Sequence, residues 1–373
     1  MIPKLNKESF LQLEALRGLA ALYVLINHSR GWLWVGGTYF VENNLKGELT
    51  MIGQLGMYLN MFTRLGHEFV VLFFLLSGFS IAYALHNSKD VISFLVRRGI
   101  RLYPPYLLSV LWALFVVYMT REVTPDLYKG VYEGVQYRGL SNVEYFLSFE
   151  SIALLFVYVP TGIVVAQFWS LGYEVVFYLI APFVVSKKSI YYVIISSLLY
   201  IVGTFFKVEY FLFNFVFVYN FYFAIGVFLF CYYIPIRKYL YQRVSVYVLM
   251  VFVLLLFIVM VGLNILWGGY SRLTELIALF LGGIMIELFL ERGFKSILLS
   301  FIGKFSYSLY ITHLATITLF ISIVIYLFDL EPPFVSPFFY WLSLPFSLLV
   351  AYVQYLIIEK NTKRWLDLKR KYL

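Results

Sequence analysis

The stretch LEALRGLAALYVLINHSR, residues 13–30, decides the fold. It carries most of a mainly apolar run at 15–34, and about 20 such residues are what an α-helix needs to cross roughly 30 Å of hydrocarbon. Runs of similar length and character recur at 66–86, 102–119, 170–186, 189–206, 211–234, 244–263, 272–290, 305–328 and 336–358. The pattern predicts an all-α, polytopic transmembrane helix bundle of about ten spans. No linker, low-complexity tract or repeat divides the chain, so residues 1–373 read as a single membrane domain. A further apolar piece, IALLFVYV at 152–159, is too short to span and stops at Pro160, and it reads as interfacial or re-entrant.

Composition supports this from outside the motifs. The chain is 62% hydrophobic, 21% aromatic and only 13% charged, with a mean hydropathy of +0.84. A water-soluble domain carries about 25% charged residues, and one with this composition would expose large apolar patches. Soluble enzymes, disordered chains and nucleic-acid-binding modules are therefore disfavoured. The lone cysteine, Cys231, lies in an apolar run and excludes an intramolecular disulfide. The N-terminal run has Glu14 and Arg17 at its start and no small-residue cleavage site, so it is expected to be retained as a span rather than removed as a signal peptide.

The net charge of +9 raises the question of a polyanionic partner until the charges are sorted. With ten spans and a cytoplasmic N-terminus, the inner side collects a net +15, the outer side −2 and the spans −4. The inner cations include Lys4, Lys7, Lys89, Lys187, Lys188, Arg237, Lys238, Arg243, Arg292, Lys295, Lys304 and six between Lys360 and Lys371. Making 152–159 a span would move every later basic loop to the outside, against the positive-inside bias. Both termini are thus expected in the cytoplasm. The long loops, 35–65 and 120–169, then lie outside, and loops of that length usually carry function.

Ionisable groups within spans cost a few kcal/mol each and point to function. Arg17 and His28, 11 residues apart, lie nearly three turns apart on one helix face, about 16 Å along the axis. Arg17 also reads as an interfacial anchor beside Glu14, and His28 as a packing residue, but an imidazole titrating near neutrality suits proton transfer. In RRGIRLYPPY (97–106), at the second inner loop, Arg98 and Arg101 at i,i+3 lie on one helix face with Arg97 close beside it, either as flanking charge on anionic lipid or as a fork for phosphates. Glu174 lies one to two turns into the fourth span from the outside. Ser306, Tyr307, Tyr310 and His313 lie on the cytoplasmic half of the ninth, and His67 and Glu68 open the second. The histidines share no metal-ligand spacing, so no metal site is expected.

Taken in order, LEALRGLAALYVLINH, GHEFVVLFFLLSGFSIA, RRGIRLYPPY, FWSLGYEVVFYL and FSYSLYITH resemble the integral-membrane acyltransferase family 3, over about residues 10–360. Members O-acylate carbohydrates and some smaller molecules. The resemblance matches the family's first-span Arg and His to Arg17 and His28, its Arg-x-x-Arg to Arg98 and Arg101, its fourth-span Glu to Glu174, and its Tyr-x-x-His to Tyr310 and His313. Glu14 replaces a usual aspartate, and IIEKNTKRW (357–365) lacks a proline that often follows the glutamate. The C-terminal hydrolase-like domain of some relatives is not expected.

The resemblance implies an acyl-CoA donor, acetyl-CoA in the first instance, with phosphates on Arg98 and Arg101 helped by Arg97 and Arg17. His28 then acts as general base on an acceptor hydroxyl or forms an acyl-imidazole, and both routes stay open. Glu174 binds acceptor hydroxyls or orients His28. The implied acceptor is a carbohydrate or lipid-linked glycan such as an O-antigen, capsule or exopolysaccharide unit. Trp32, Trp34 and Trp169, at the margins of the outer loops, read either as faces for sugar rings or as an interfacial aromatic belt. The implied setting is a bacterial cytoplasmic membrane. A carrier using His and Glu as a proton relay is the rival reading, and inverted repeats would favour it.

Overall fold

In the computed structural model the described residues, 7–43, 51–132, 135–185, 189–206, 210–239, 241–291 and 295–369, are helix and loop apart from one isolated parallel bridge between Trp34 and Phe334. All ten apolar runs form helices. They are α1 (Lys7–Leu33), α2 (Gly66–His86), α3 (Val91–Val123), α4 (Phe168–Val184), α5 (Ser189–Thr204), α6 (Phe211–Tyr239), α7 (Val246–Leu266), α8 (Arg272–Glu291), α9 (Ser306–Phe328) and α10 (Phe338–Leu366). Eight are long and apolar enough to cross a bilayer, while α4 and α5, with 17 and 16 residues, rise about 25 Å and fall at the short end of the spanning range. The chain is a polytopic all-α membrane bundle. Residues 149–155 form a seven-residue helix, too short to cross, and the chain turns away before Pro160.

One boundary moves. The apolar run starts at 102, yet α3 begins at Val91, so the helix face expected for Arg98 and Arg101, with Arg97 beside it, belongs to the same continuous helix as the span. Asp90 starts the helix, accepting hydrogen bonds from the Ser93 amide (2.8 Å) and hydroxyl (2.7 Å). Pro104 and Pro105 lie inside α3, and the stretch is braced from outside. Tyr307 donates to the Leu102 carbonyl (3.0 Å) and Gln354 to that of Pro105 (3.1 Å).

Small residues set how closely the helices approach. A Cβ at Gly78 would run into the Phe223 carbonyl oxygen, and one at Gly226 into that of Leu75, so α2 and α6 cross backbone to backbone. The same holds where Gly18 and Gly303 bring α1 against the short helix Ile297–Gly303. At the periphery, α7 leaves Tyr247, Val248, Val251, Leu254 and Leu255 exposed, a lipid-facing surface.

Three carboxylates tie helices together. Glu275 on α8 accepts from Tyr200 (3.3 Å) and Tyr222 (2.5 Å) and pairs with Arg272 (3.0 Å) and His67 (2.8 Å). Glu287 accepts from Tyr233 (2.9 Å). Glu359 accepts from the Ser308 amide and hydroxyl at 3.2 and 2.6 Å, near the start of α9, with Lys363 at 2.8 Å. Pairing of this kind is what keeps a charge tolerable in a low-dielectric bundle. Lys4, Lys187, Lys188, Arg292 and Lys371, which enter the charge sorting, lie outside the described residues.

Candidate active site

Because α1 is continuous from Lys7 to Leu33, Arg17 and His28 keep the helical spacing of about 16 Å. Each opens onto a different cavity. The first, about 90 Å³, is lined by Arg17, by Ser77 of α2, by Arg98 and Arg101 of α3, by Glu174 and Tyr178 of α4, and by Ser306, Tyr307 and Tyr310 of α9. Among the described residues none of the three guanidiniums has an ion-pair partner within reach, and the Arg98 Nε is buried without a hydrogen bond. The one carboxylate present, Glu174, accepts from Ser77 (2.8 Å) and from Tyr178. Three cations against one anion in a confined space form a site for an anionic ligand.

The second cavity, about 400 Å³, is lined by His28, Arg30, Arg64, His67, Glu68 and Gln167, with Trp32, Trp169 and Tyr270 among its aromatic walls. Val70 and Tyr310 line both cavities, so the two are separated by about one layer of side chains.

On the side of the second cavity the Nδ1 of His28 lies 2.7 Å from the Nε2 of His313, three residues on from Tyr310. The ring planes differ by 17° and the centroids are 5.0 Å apart, which is the N···N distance plus one ring radius at each end, so the bond runs along the line of centres. Tautomers follow from the next link. His313 Nδ1 lies 2.7 Å from the Tyr310 carbonyl oxygen, which can only accept, so Nδ1 carries the proton. Neutral His313 then offers the Nε2 lone pair to His28 Nδ1–H. This leaves the lone pair of His28 on Nε2, as a base requires.

The geometry revises several readings from sequence. Glu174 does not touch His28; it lies in the arginine cavity, and His313 takes the orienting position. Arg97 does not line that cavity and donates instead to Ser88 (2.7 Å), because adjacent helical residues point about 100° apart. Glu14 lines neither cavity, its backbone packing against Gly303. Ser306 lines the arginine cavity and donates to the Gly303 carbonyl (3.0 Å). His67 is tied to Glu275 and stacks on Tyr270 with centroids 3.8 Å apart. Trp32 and Trp169 reach the histidine cavity, whereas Trp34 is buried and donates to Val335 (3.2 Å). The sequence reading missed Arg30, Arg64, Ser77 and Tyr178. The two arginines entered only the outer charge count, and nothing in the pattern signalled the other two.

Two neighbouring cavities in a helical membrane bundle, one lined by arginines and the other bordered by an oriented imidazole, have the parts a membrane-embedded transferase needs. The family model described as "Acyltransferase domain", that of acyltransferase family 3, matches residues 10–355, and the chain belongs to this family. Over 134 residues the chain is 31% identical to "Acyltransferase MdmB" of Streptomyces mycarofaciens, a stretch covering 35% of this chain and 31% of that protein. The match thus spans under a third of the relative's length. No solved structure matches the chain.

Proposed function

We propose that this membrane acyltransferase moves an acyl group, acetyl in the first instance, from acyl-CoA to a hydroxyl of a carbohydrate or lipid-linked glycan. The donor enters from the cytoplasm at the Arg17 end, and the acceptor from the opposite side of a bacterial cytoplasmic membrane, with both termini cytoplasmic. The observation that carries the reading is the shared wall. A cavity lined by three arginines without ion-pair partners among the described residues and a cavity bordered by the oriented imidazole of His28 share Val70 and Tyr310 as their common wall.

Arg17, Arg98 and Arg101 hold the donor's phosphates, and the roughly 16 Å of rise along α1 suits a pantetheine arm reaching toward His28. Nε2 of His28 takes the proton from the acceptor hydroxyl as its oxygen attacks the thioester carbonyl. The C–S bond then breaks, and the thiolate recovers that proton from Nε2 to leave as CoASH. The imidazolium that forms meanwhile is stabilised through Nδ1–H by His313, with the Tyr310 carbonyl behind it. The acyl-imidazole route uses the same lone pair, and initial-rate patterns separate the two: parallel double-reciprocal lines mark the covalent route, intersecting lines direct transfer.

The test is incubation of purified protein with labelled acetyl-CoA and glycan acceptors. Label is expected to appear as an alkali-labile ester, and not with His28→Ala at equal protein level. Ester formation by that variant at the native rate would overturn the assignment.

A further inference from the structure

The histidine cavity contains charges that the transfer step does not use. Glu68 is 1% exposed and lines the cavity, yet neither carboxylate oxygen has a hydrogen-bond partner among the described residues. Arg30 lines the same cavity, and its Nε is buried without a partner. Arg64 donates through Nε to Asn264 Oδ1 (3.3 Å), which leaves its terminal nitrogens uncommitted to that bond. Neither arginine forms an ion pair with Glu68, and Glu275, which pairs with His67 of the cavity wall, is also engaged by Arg272. Two guanidiniums facing one cavity repel each other, and an unpartnered carboxylate in the same wall has lost its hydration. Both costs are offset together by a ligand that brings an anion for the arginines and hydroxyl donors for the glutamate.

We infer, on the basis of the function proposed above, that the acceptor is an acidic sugar. Its anionic group is held by Arg30 and Arg64, and a pair of neighbouring hydroxyls donates to Glu68 while a further hydroxyl faces His28. Planar guanidinium forks bind carboxylate and phosphate alike, so the anion is a ring carboxylate or a sugar phosphate. A vicinal diol spans the two oxygens of a carboxylate, and Trp32 and Trp169 offer apolar faces for the sugar ring.

The experiment is a binding titration of the full-length protein in nanodiscs without acyl donor, read by tryptophan fluorescence. The probes are methyl glucuronide, glucose 1-phosphate and neutral methyl glucoside. One or both anionic probes are expected to bind about tenfold or more tighter than the glucoside, the scale of one charge-assisted hydrogen bond. The preferred probe identifies carboxylate or phosphate as the anion. Arg30→Gln and Arg64→Gln should each remove most of the preference, with Arg64→Lys retaining part of it. Glu68→Gln should weaken all three probes while keeping the preference. Equal binding of glucoside and acids, no saturable binding of any probe, or a preference that survives in the Arg30→Gln/Arg64→Gln double variant overturns the inference. Acyl transfer is assayed separately. Transfer to neutral sugars with no anionic preference sinks only the acidic-acceptor inference, whereas a preserved preference with no transfer to any alcohol sinks only the enzymatic reading.

Discussion

His28 and His313, 285 positions apart in the chain, face each other nitrogen to nitrogen at 2.7 Å, and the Tyr310 carbonyl behind His313 fixes the direction of both N–H bonds. His313 is in this view a positioning residue. His313→Phe fills the volume but removes the acceptor and leaves His28 Nδ1–H unpartnered. The expected result is a fall in kcat of about 10²-fold, within the range general base catalysis supplies, with donor KM little changed. His313→Gln, whose amide oxygen can accept the same proton, should recover part of the loss. Equal losses in the two variants would assign His313 to packing alone.

The arginine cavity yields a prediction on the donor side. Arg98→Gln and Arg101→Gln each remove a fork from a site with three cations and one carboxylate. Each is expected to weaken acetyl-CoA affinity about tenfold or more, the scale of a charge-assisted hydrogen bond, without altering acceptor binding. Arg97→Gln, whose side chain turns to Ser88, should change affinity far less. Acetyl-CoA titration of the three variants checks the order, and an Arg97 effect as large as that of Arg98 would contradict the geometry.

The difference between Arg97 and Arg98 shows what is legible in the sequence. The positions and order of the apolar helices were readable because hydrocarbon thickness sets run length; all ten runs are helices, and eight of them are long and apolar enough to span. The arginine cluster was visible, but which members face inward depends on where α3 begins and on its rotation against α1 and α4. Glu174 and His28 were both visible as intramembrane polar groups. Their separation into two cavities, and the choice of His313 as partner, depend on helix neighbours that periodicity does not encode. Arg30 and Arg64 lie on the side read as outer, which the positive-inside bias does not supply with cations, and that departure was the signal available for them.

Helix spacing gives a stability prediction. Gly226→Leu places a side chain where a Cβ already meets the Leu75 carbonyl oxygen, forcing α2 and α6 apart. Overpacking of this kind costs about 1–3 kcal/mol, and more where the obstacle is backbone. The variant should lose several degrees of thermal stability in detergent. Because α2 carries Ser77, the Glu174 partner, its donor affinity should fall as well. Gly262→Leu on α7, where a Cβ meets nothing within 4 Å, is the control and should leave both unchanged.

The cap of α3 titrates. The Ser93 amide and then its hydroxyl hold the Asp90 carboxyl below its ordinary range. A carboxylate with a lowered folded-state pKa stabilises above its unfolded value and loses that contribution as pH falls through the folded one. Amide-exchange protection at residues 91–94 should therefore be constant through neutrality and fall on acidification below the ordinary carboxylate range. In Asp90→Ala it should be low at every pH. A cap insensitive to both acid and substitution would show that packing alone starts the helix.

Tyr310 separates backbone from side-chain roles. Its hydroxyl shares a hydrogen bond with Ser170 at 2.7 Å and its ring lines both cavities, while its carbonyl sets the His313 tautomer. Tyr310→Phe keeps the carbonyl and the ring and loses only the hydroxyl's bonds to Ser170 and, at 3.4 Å, to the Gln167 carbonyl, each contributing about 1 kcal/mol net or less. Its kcat should stay within about tenfold of the native enzyme, above that of His313→Phe and far above His28→Ala. If Tyr310→Phe were instead as inactive as His28→Ala with its fold intact, the hydroxyl would belong to the reacting groups, and the proton path would run through Tyr310 and Ser170 rather than through the imidazole pair.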